Sequence, residues 1–111
     1  MEYRFIPELS SEIAVPNEGI ISRVIHKDEF VNVTLFGFSK GQELSTHSAP
    51  TPAVLNFLSG EADVKLGDDT VKAKAGSFVY MPPTLPHAIS ATTECVMLLI
   101  QVKVPRSQSA R

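Results

Sequence analysis

Short runs of alternating apolar and polar residues recur along this chain, and they are its most constraining feature. The clearest runs are FVNVTLFGF from Phe30, EADVKL from Glu61 and TVKAKAG from Thr70. Alternation with a period of two places the apolar side chains on one face of a strand. Apolar residues at helical spacing do not extend convincingly over about ten positions anywhere in the chain. The pattern therefore predicts a protein built of strands.

Turn-forming residues separate these runs at regular intervals. SGE follows AVLNFL, GDD stands at 67–69 between two alternating runs, and AG precedes SFVYM. Short strands with turns every eight to twelve residues or so are typical of a β-sandwich or barrel. A length of 111 residues corresponds to one domain. We predict an all-β, single-domain fold.

Charge and cysteine content narrow the classes of function. Ten basic and twelve acidic residues give a formal net charge of -2 without any basic cluster, so we expect no nucleic-acid partner. The longest apolar run, CVMLLI, is far shorter than the roughly 20 residues of a membrane helix. The N-terminus lacks the features of a secretory signal, and there is one cysteine. We expect a cytoplasmic protein that binds no membrane.

Two of the three histidines stand in similar surroundings. His47 follows Gly41 by six residues, in the segment GQELSTHSAPTPAVLNFLSG. His87 follows Gly76 and Pro82, in the segment GSFVYMPPTLPHAISA. In each segment a glycine opens a turn, a strand follows, and prolines stiffen the corner near the histidine.

These segments resemble the two sequence motifs of the cupins, a superfamily of small jelly-roll β-barrels. The first motif is G-x5-H-x-H-x3-E-x6-G, and the second is G-x5-P-x-G-x2-H-x3-N. Six motif positions are kept here: Gly41, His47 and Gly60 in the first, and Gly76, Pro82 and His87 in the second. Thr84 and Ala91 replace the glycine and the asparagine of the second motif. The resemblance spans about residues 35–100 and implies a single-domain jelly-roll β-barrel.

The positions that differ from the motifs bear on what the barrel binds. In cupins, the two histidines and the glutamate of the first motif bind a divalent metal together with the histidine of the second. Ala49 and Ala53 replace the second histidine and the glutamate here, which leaves His47 and His87 as candidate ligands. The family geometry would bring these two together inside the barrel. Because functional sites have three or four protein donors, we expect a weakly held cation (Zn, Ni, Fe or Mn) or none.

Four further side chains were candidates to complete such a site. Glu43 has the strand parity of His47, but four residues of strand separate them by roughly 13 Å, so coordination requires a bulge. Ser45 is closer, although a hydroxyl is a poor metal ligand. Cys95 and Met97 follow the second motif, and the sequence leaves the face that they occupy open.

Small and apolar residues near the histidines predict a ligand pocket. Ala49, Ala53 and Phe57 share a strand parity, and with Ser45 they would line a largely apolar wall. Apolar walls with one or two polar anchors are typical of small-molecule sites. The alternative is that these residues simply pack against one another as core, which is equally common in small barrels.

Three interpretations of the histidine pair follow. The rings are hydrogen-bonded barrel residues without a role, a weak metal site completed by a ligand, or a metal-free site with a hydrogen-bonding or general-base imidazole. Three functions compete: a binding module that holds a small molecule near the two histidines, an enzyme, and an accessory protein without a ligand. The enzyme would be a metal-dependent oxygenase or isomerase, or a metal-free isomerase with a histidine base. The missing carboxylate disfavours an oxygenase, so small-molecule binding leads and catalysis stays undecided.

The first twenty residues precede the motif-bearing segment yet carry apolar side chains: Tyr3, Phe5, Ile6, Ile13 and Val15. We predict an N-terminal arm at 1–20, a barrel at 21–104 and a disordered tail at 105–111. The arm needs a surface to cover, and in cupins the equivalent segment often joins a partner's sheet. The resemblance thus implies a homodimer. His26, beside a charged turn, is expected to be exposed and uninvolved.

Overall fold

Nine strands dominate residues 1–103, the part of the chain that the computed structural model describes. They are β1 (Ile20–Lys27), β2 (Val31–Phe38), β3 (Glu43–His47), β4 (Ala53–Ser59), β5 (Glu61–Leu66), β6 (Asp69–Lys74), β7 (Phe78–Met81), β8 (His87–Ala91) and β9 (Cys95–Val102). One turn of 3-10 helix, Leu9–Glu12, precedes them. The all-β prediction is confirmed.

Residues 105–111, the predicted tail, lie outside the described residues. No helix within residues 1–103 has the length and apolar character to cross a membrane.

The strands form two antiparallel sheets that face each other as a jelly-roll barrel. One sheet has the order β1-β2-β9-β4-β7, and the other has the order β3-β8-β5-β6. Six connections cross between the sheets, and four of them, at 39–42, 60, 75–77 and 92–94, have four residues or fewer. Because these four connections are too short to run along a sheet, β2, β9, β4 and β7 lie opposite β3, β8, β5 and β6, respectively.

The two ends of the barrel differ in their connections. The four shortest crossing connections lie at one end, which we call the tight end. The connections at 28–30, 48–52, 67–68 and 82–86 lie at the other, which we call the loop end. Both cupin-motif segments begin at the tight end and run towards the loop end, so the two motif histidines arrive there together.

The space between the sheets is filled by apolar side chains. The buried cluster consists of Phe38, Ala53, Leu55, Phe57, Ala62, Val64, Ala73, Met81, Ile89, Ala91, Cys95 and Met97. Cys95 and Met97, whose facing the sequence left open, therefore both point inwards. Cys95 directly follows the crossing connection at 92–94, so it lies at the tight end, away from the histidines.

The N-terminal segment covers part of the outer face of the larger sheet. Leu35 is 0% exposed although it points away from the barrel interior, on the face opposite Phe36. A Cβ atom placed on Gly37, which lies on the same outer face, would stand 3.5 Å from the Cα of Val15. The arm thus gives β2 a second buried face, whereas its first residues, including Tyr3, are exposed.

Gly60, the final glycine of the first motif, is the whole connection between β4 and β5. Its φ of 79° lies in the left-handed region. A Cβ atom there would collide with the backbone oxygen of Glu94 and lie 2.7 Å from the Cα of Cys95. Gly41 has a similar φ of 87°, but a Cβ on it would meet nothing within 4 Å. A side chain at either position would therefore cause conformational strain, but only at Gly60 would it also collide with the backbone.

These two glycines give a matched pair of stability tests. Gly41→Ala should cost only the left-handed strain, about 1–2 kcal/mol of unfolding free energy. Gly60→Ala adds overpacking against backbone, so its loss should reach roughly 2–5 kcal/mol. Urea unfolding followed by circular dichroism measures both. Equal losses in the two variants would contradict the close approach at the tight end.

Candidate functional site

The structure brings His47 and His87 together at the loop end. His47 ends β3, His87 begins β8, and the two residues pair directly across the sheet. Their ring centroids are 4.2 Å apart and their planes meet at 61°. His87 is only 7% exposed, whereas His47 lies exposed on the edge strand. The pair thus joins the barrel interior to its rim.

A β-bulge turns His47 towards the interior. Between Leu44 and His47, β3 contains one residue more than the paired segment of β8. The extra residue shifts the alternation, so Leu44 and His47 both face inwards although their parities differ. The expectation that Glu43 shares the face of His47 is therefore wrong, because Glu43 precedes the bulge and faces the outer surface. Bulges commonly re-aim side chains in this way beside functional sites.

Backbone carbonyls hold both imidazoles in the same protonation pattern. Nδ1 of His47 lies 2.9 Å from the carbonyl oxygen of Ser45, and Nδ1 of His87 lies 3.0 Å from that of Leu85. A carbonyl oxygen can only accept a hydrogen bond, so Nδ1 carries the proton in each ring. In the neutral form, both Nε2 atoms then have free lone pairs. Metal-binding histidines are commonly oriented by the same kind of bond.

A backbone hydrogen bond joins the two loops beside the histidines. The N–H of Thr84 in the 82–86 loop donates to the carbonyl of Ala49 in the 48–52 loop, at 2.7 Å. Thr84 has a φ of 68°, which is unusual for a β-branched residue. This is the position where the second cupin motif has glycine. The loop keeps a glycine-like backbone, and the resulting strain lies next to the candidate site.

The predicted pocket residues occupy different environments. Ser45 is exposed within the bulge and contributes its carbonyl to His47, while Ala49 is half-buried in the loop. Ala53 and Phe57 are 6% and 1% exposed and belong to the buried cluster. Ala53 begins β4 at the loop end, whereas Phe57 lies four residues, or about 13 Å, further along the strand. A pocket lined by all four residues stays a prediction.

Two amide side chains that the motifs do not include also face inwards at the loop end. Asn32 of β2 pairs with Gln101 of β9, and both share the face of the Phe36–Met97 pair, which borders the core. Nδ2 of Asn32 lies 3.3 Å from Oε1 of Gln101. Oδ1 of Asn32 is buried and has no hydrogen-bond partner among residues 1–103. The shared parity of Asn32 with Phe36 was the available sequence signal.

His26 lies apart from this site, on the outer face of β1, and it is half-buried rather than exposed as expected. Its Nε2 stands 2.8 Å from Oδ2 of Asp28. The backbone N–H of Val31, the His26 side chain and the backbone N–H of Phe30 lower the pKa of Asp28 to about 2. His26 thus takes part in the β1–β2 turn.

The donor set limits how a metal could be held. No group of three or more His, Cys, Asp or Glu side chains within residues 1–103 is arranged to hold a metal ion. Two Nε2 atoms bound to one cation at about 2.1 Å each stand at most about 4.2 Å apart. The centroids of the two rings are 4.2 Å apart. A cation held here would have two protein donors, and water or a bound molecule would supply its remaining ligands.

Comparison with protein families agrees with this architecture. Residues 34–101 match the cupin domain family model. The chain belongs to the cupin superfamily. No curated protein matches this cupin.

Solved structures show the same fold over almost the whole cupin chain. A conserved protein of unknown function from Streptococcus pyogenes is 31% identical, with 94% of this chain and 91% of that chain covered and a TM-score of 0.83. A cupin superfamily protein from Desulfitobacterium hafniense DCB-2 is 23% identical, with 94% of each chain covered and a TM-score of 0.83. KdgF from Halomonas sp. is 13% identical, with 81% and 85% covered and a TM-score of 0.74.

The carbonyl contacts predict the tautomers of the histidines. In the neutral form, His47 and His87 should both carry the proton on Nδ1, whereas His26, whose Nε2 faces Asp28, should carry it on Nε2. Long-range proton–nitrogen NMR spectra of histidine-labelled protein distinguish the two forms, and His26 serves as the internal control. Nε2-protonated rings at positions 47 and 87 would show that the lone pairs are not free.

Proposed function

We propose that this cupin binds a small, partly apolar molecule at the loop end of the barrel, with His47 and His87 as polar anchors. One observation carries the proposal: both Nδ1–H groups donate hydrogen bonds to backbone carbonyls, which leaves the Nε2 lone pairs of two adjacent rings free. Ala53 and Met81, both buried, stand at the same end of the opposite sheet. Few polar anchors against an apolar wall are typical of small-molecule sites.

The same lone pairs support weak binding of a divalent cation such as Zn²⁺, Ni²⁺, Fe²⁺ or Mn²⁺. The set has fewer protein donors than the three or four of most functional sites, so the bound molecule or water completes the shell. A bound cation would polarise an oxygen atom of the ligand. An oxygenase with two histidines and a carboxylate is disfavoured, because no carboxylate joins the pair within residues 1–103.

A second candidate function is metal-free isomerisation with a histidine as general base. It is supported by the fixed orientation of each ring, because a base must hold its lone pair within hydrogen-bond reach of the proton that it removes. A base and a metal would use the same Nε2 atoms. Metal titration therefore separates the two candidates. If added cation inhibits the binding or the turnover of the small molecule, the result favours a histidine that acts as a general base.

Metal titration also tests the site itself. Ni²⁺ added to untagged protein should bind weakly at one site per chain. His47→Ala and His87→Ala should each weaken binding by about tenfold or more, because each removes one of two protein donors. His26→Ala is the matched control and should bind as the parent does. Isothermal titration calorimetry measures all four proteins.

The pH dependence of the same titration provides an internal check. Binding should fall on acidification, because protons compete with the cation for both Nε2 atoms. If His47→Ala and His87→Ala bind Ni²⁺ as well as the parent, the shared site is wrong. The histidines would then be hydrogen-bonded barrel residues without a role.

The single thiol bears on the compartment. Cys95 is buried, and burial raises its pKa to about 11, so the thiol stays protonated and unreactive at neutral pH. The sequence offers no second cysteine for a disulfide within the chain. Because such a protein needs no oxidising environment, the proposal includes a cytoplasmic location.

We also propose that the protein is a homodimer, on the strength of an uneven distribution of exposed aromatic residues. Phe78 and Tyr80, on the outer face of the edge strand β7, are 66% and 56% exposed. Tyr3 and Phe5 of the arm are 90% and 75% exposed. Together these four side chains expose roughly 400–700 Å². A standard interface buries about 800 Å² on each partner, so the aromatic side chains of the arm and of β7 together supply much of what a dimer needs.

The outer surface of the other sheet has a different character. It carries charged side chains on three of its strands: Glu43, Glu61, Asp63, Lys65, Lys72 and Lys74. This surface is suited to solvent. Because the arm and the aromatic strand belong to the same chain, two copies can cover each other's patches reciprocally, as a two-fold interface requires. A second copy would also protect the free edge of β7.

Light scattering tests the dimer. The parent should have twice the monomer mass at micromolar concentration, and the double variant Tyr3→Ser/Phe5→Ser should shift towards monomer because it removes the apolar contacts of the arm. Phe30→Ser is the matched control, since Phe30 is 55% exposed but lies in the β1–β2 turn. A monomeric parent would remove the proposal.

A further inference from the structure

The Asn32–Gln101 pair lies across the barrel from the histidine pair. The 39–42 connection places β2 opposite β3, and the 92–94 connection places β9 opposite β8. At the loop end, Asn32 therefore faces the sheet position of His47, and Gln101 faces that of His87. Packed sheets stand about 10 Å apart, and the side chains extend inwards from both. A molecule that contacts both pairs would lie between the two sheets at this end.

One group of this amide pair lacks a partner within the described chain. Nδ2 of Asn32 donates to Oε1 of Gln101, while Oδ1 of Asn32 is buried without a donor among residues 1–103. Leaving such a group unpaired destabilises a fold, and native proteins contain few of them. Reversing both amides would pair Oδ1 but would leave the NH₂ group of Asn32 unpaired instead. A hydroxyl group satisfies either orientation, because it both donates and accepts.

We propose that Asn32 and Gln101 form the second half of the binding site and that the ligand is a neutral, hydroxyl-rich molecule of the sugar or polyol class. This inference rests on the proposed function of His47 and His87. Three acceptor atoms belong to residues at the loop end: the two Nε2 atoms and the buried Oδ1 of Asn32. Hydroxyl groups can donate to all three. A carboxylate or phosphate offers only acceptors, so the site without a bound cation disfavours anions.

The binding test uses xylitol, D-xylose and myo-inositol as probes, with succinate as the anionic comparison. In the parent, the polyols should shift the ring protons of His47 and His87 and the side-chain amide of Asn32 in NMR spectra, whereas succinate should not. Asn32→Leu should weaken polyol binding by about tenfold, the value of one hydrogen bond, while Ni²⁺ affinity stays unchanged. Gln101→Met should show the same loss, and it replaces Asn32→Leu if that variant misfolds.

A matched control uses the amide of Asn56, which donates to the carbonyl of Ser77 and points away from the barrel interior. Asn56→Leu should leave polyol binding intact and lower the melting temperature. Asn32→Leu should instead raise the melting temperature of the ligand-free protein by a few degrees, because an apolar side chain replaces an unpaired buried group. A lower melting temperature for Asn32→Leu would mean that Oδ1 is already satisfied by water, which overturns the inference.

The outcomes separate this inference from the proposed function. If Asn32→Leu and Gln101→Met bind polyols as the parent does, while the histidine variants lose Ni²⁺, the second half of the site is wrong and the histidine site stands. If succinate binds and none of the three polyols does, the ligand class is wrong. If the histidine variants keep full Ni²⁺ and polyol binding, the proposed function fails.

Discussion

The close approach of two backbone segments at Gly60 is the constraint on which the barrel depends. The chain crosses there from β4 to β5 in a single residue and passes against the backbone at Glu94. Three other crossings of three or four residues lie at the same end, so the sheets are held in contact along four strand pairs. With the four shortest crossings at the tight end, the loop end remains the place where longer connections can carry functional side chains.

The candidate site arises from small departures from regular strand geometry. One extra residue in β3 rotates His47 inwards, and the carbonyls of Ser45 and Leu85 determine which nitrogen of each ring is free. A left-handed Thr84 then ties the neighbouring loops together. The bulge is local, because β3 and β8 pair on both sides of it, at Leu44 and at His47. They convert two ordinary strand ends into a pair of fixed acceptors.

The sequence predicted the β-class, the cupin fold and the two histidines, because glycine and histidine spacings relate directly to turns and strand lengths. It gave the wrong facing for Glu43, because alternation carries no mark of a bulge. It missed the inward facing of Asn32 for another reason. Both faces of β2 carry apolar side chains, and the face beneath the arm is the more regularly apolar one near Asn32, so periodicity alone does not identify the interior. The face that points inwards is identified by its pairing partners on the neighbouring strand, such as the buried Met97 opposite Phe36.

The unequal burial of the two imidazoles has a kinetic consequence. His47 meets solvent at the rim, whereas His87 is almost enclosed by the barrel. If the proposed ligand enters from the rim, it meets the outer ring first and reaches the inner ring only after it has lost more of its hydration. We therefore expect capture to depend chiefly on His47 and residence time on His87. The two side chains have the same chemistry but would differ in role: His47 would govern the entry of the ligand, and His87 its retention.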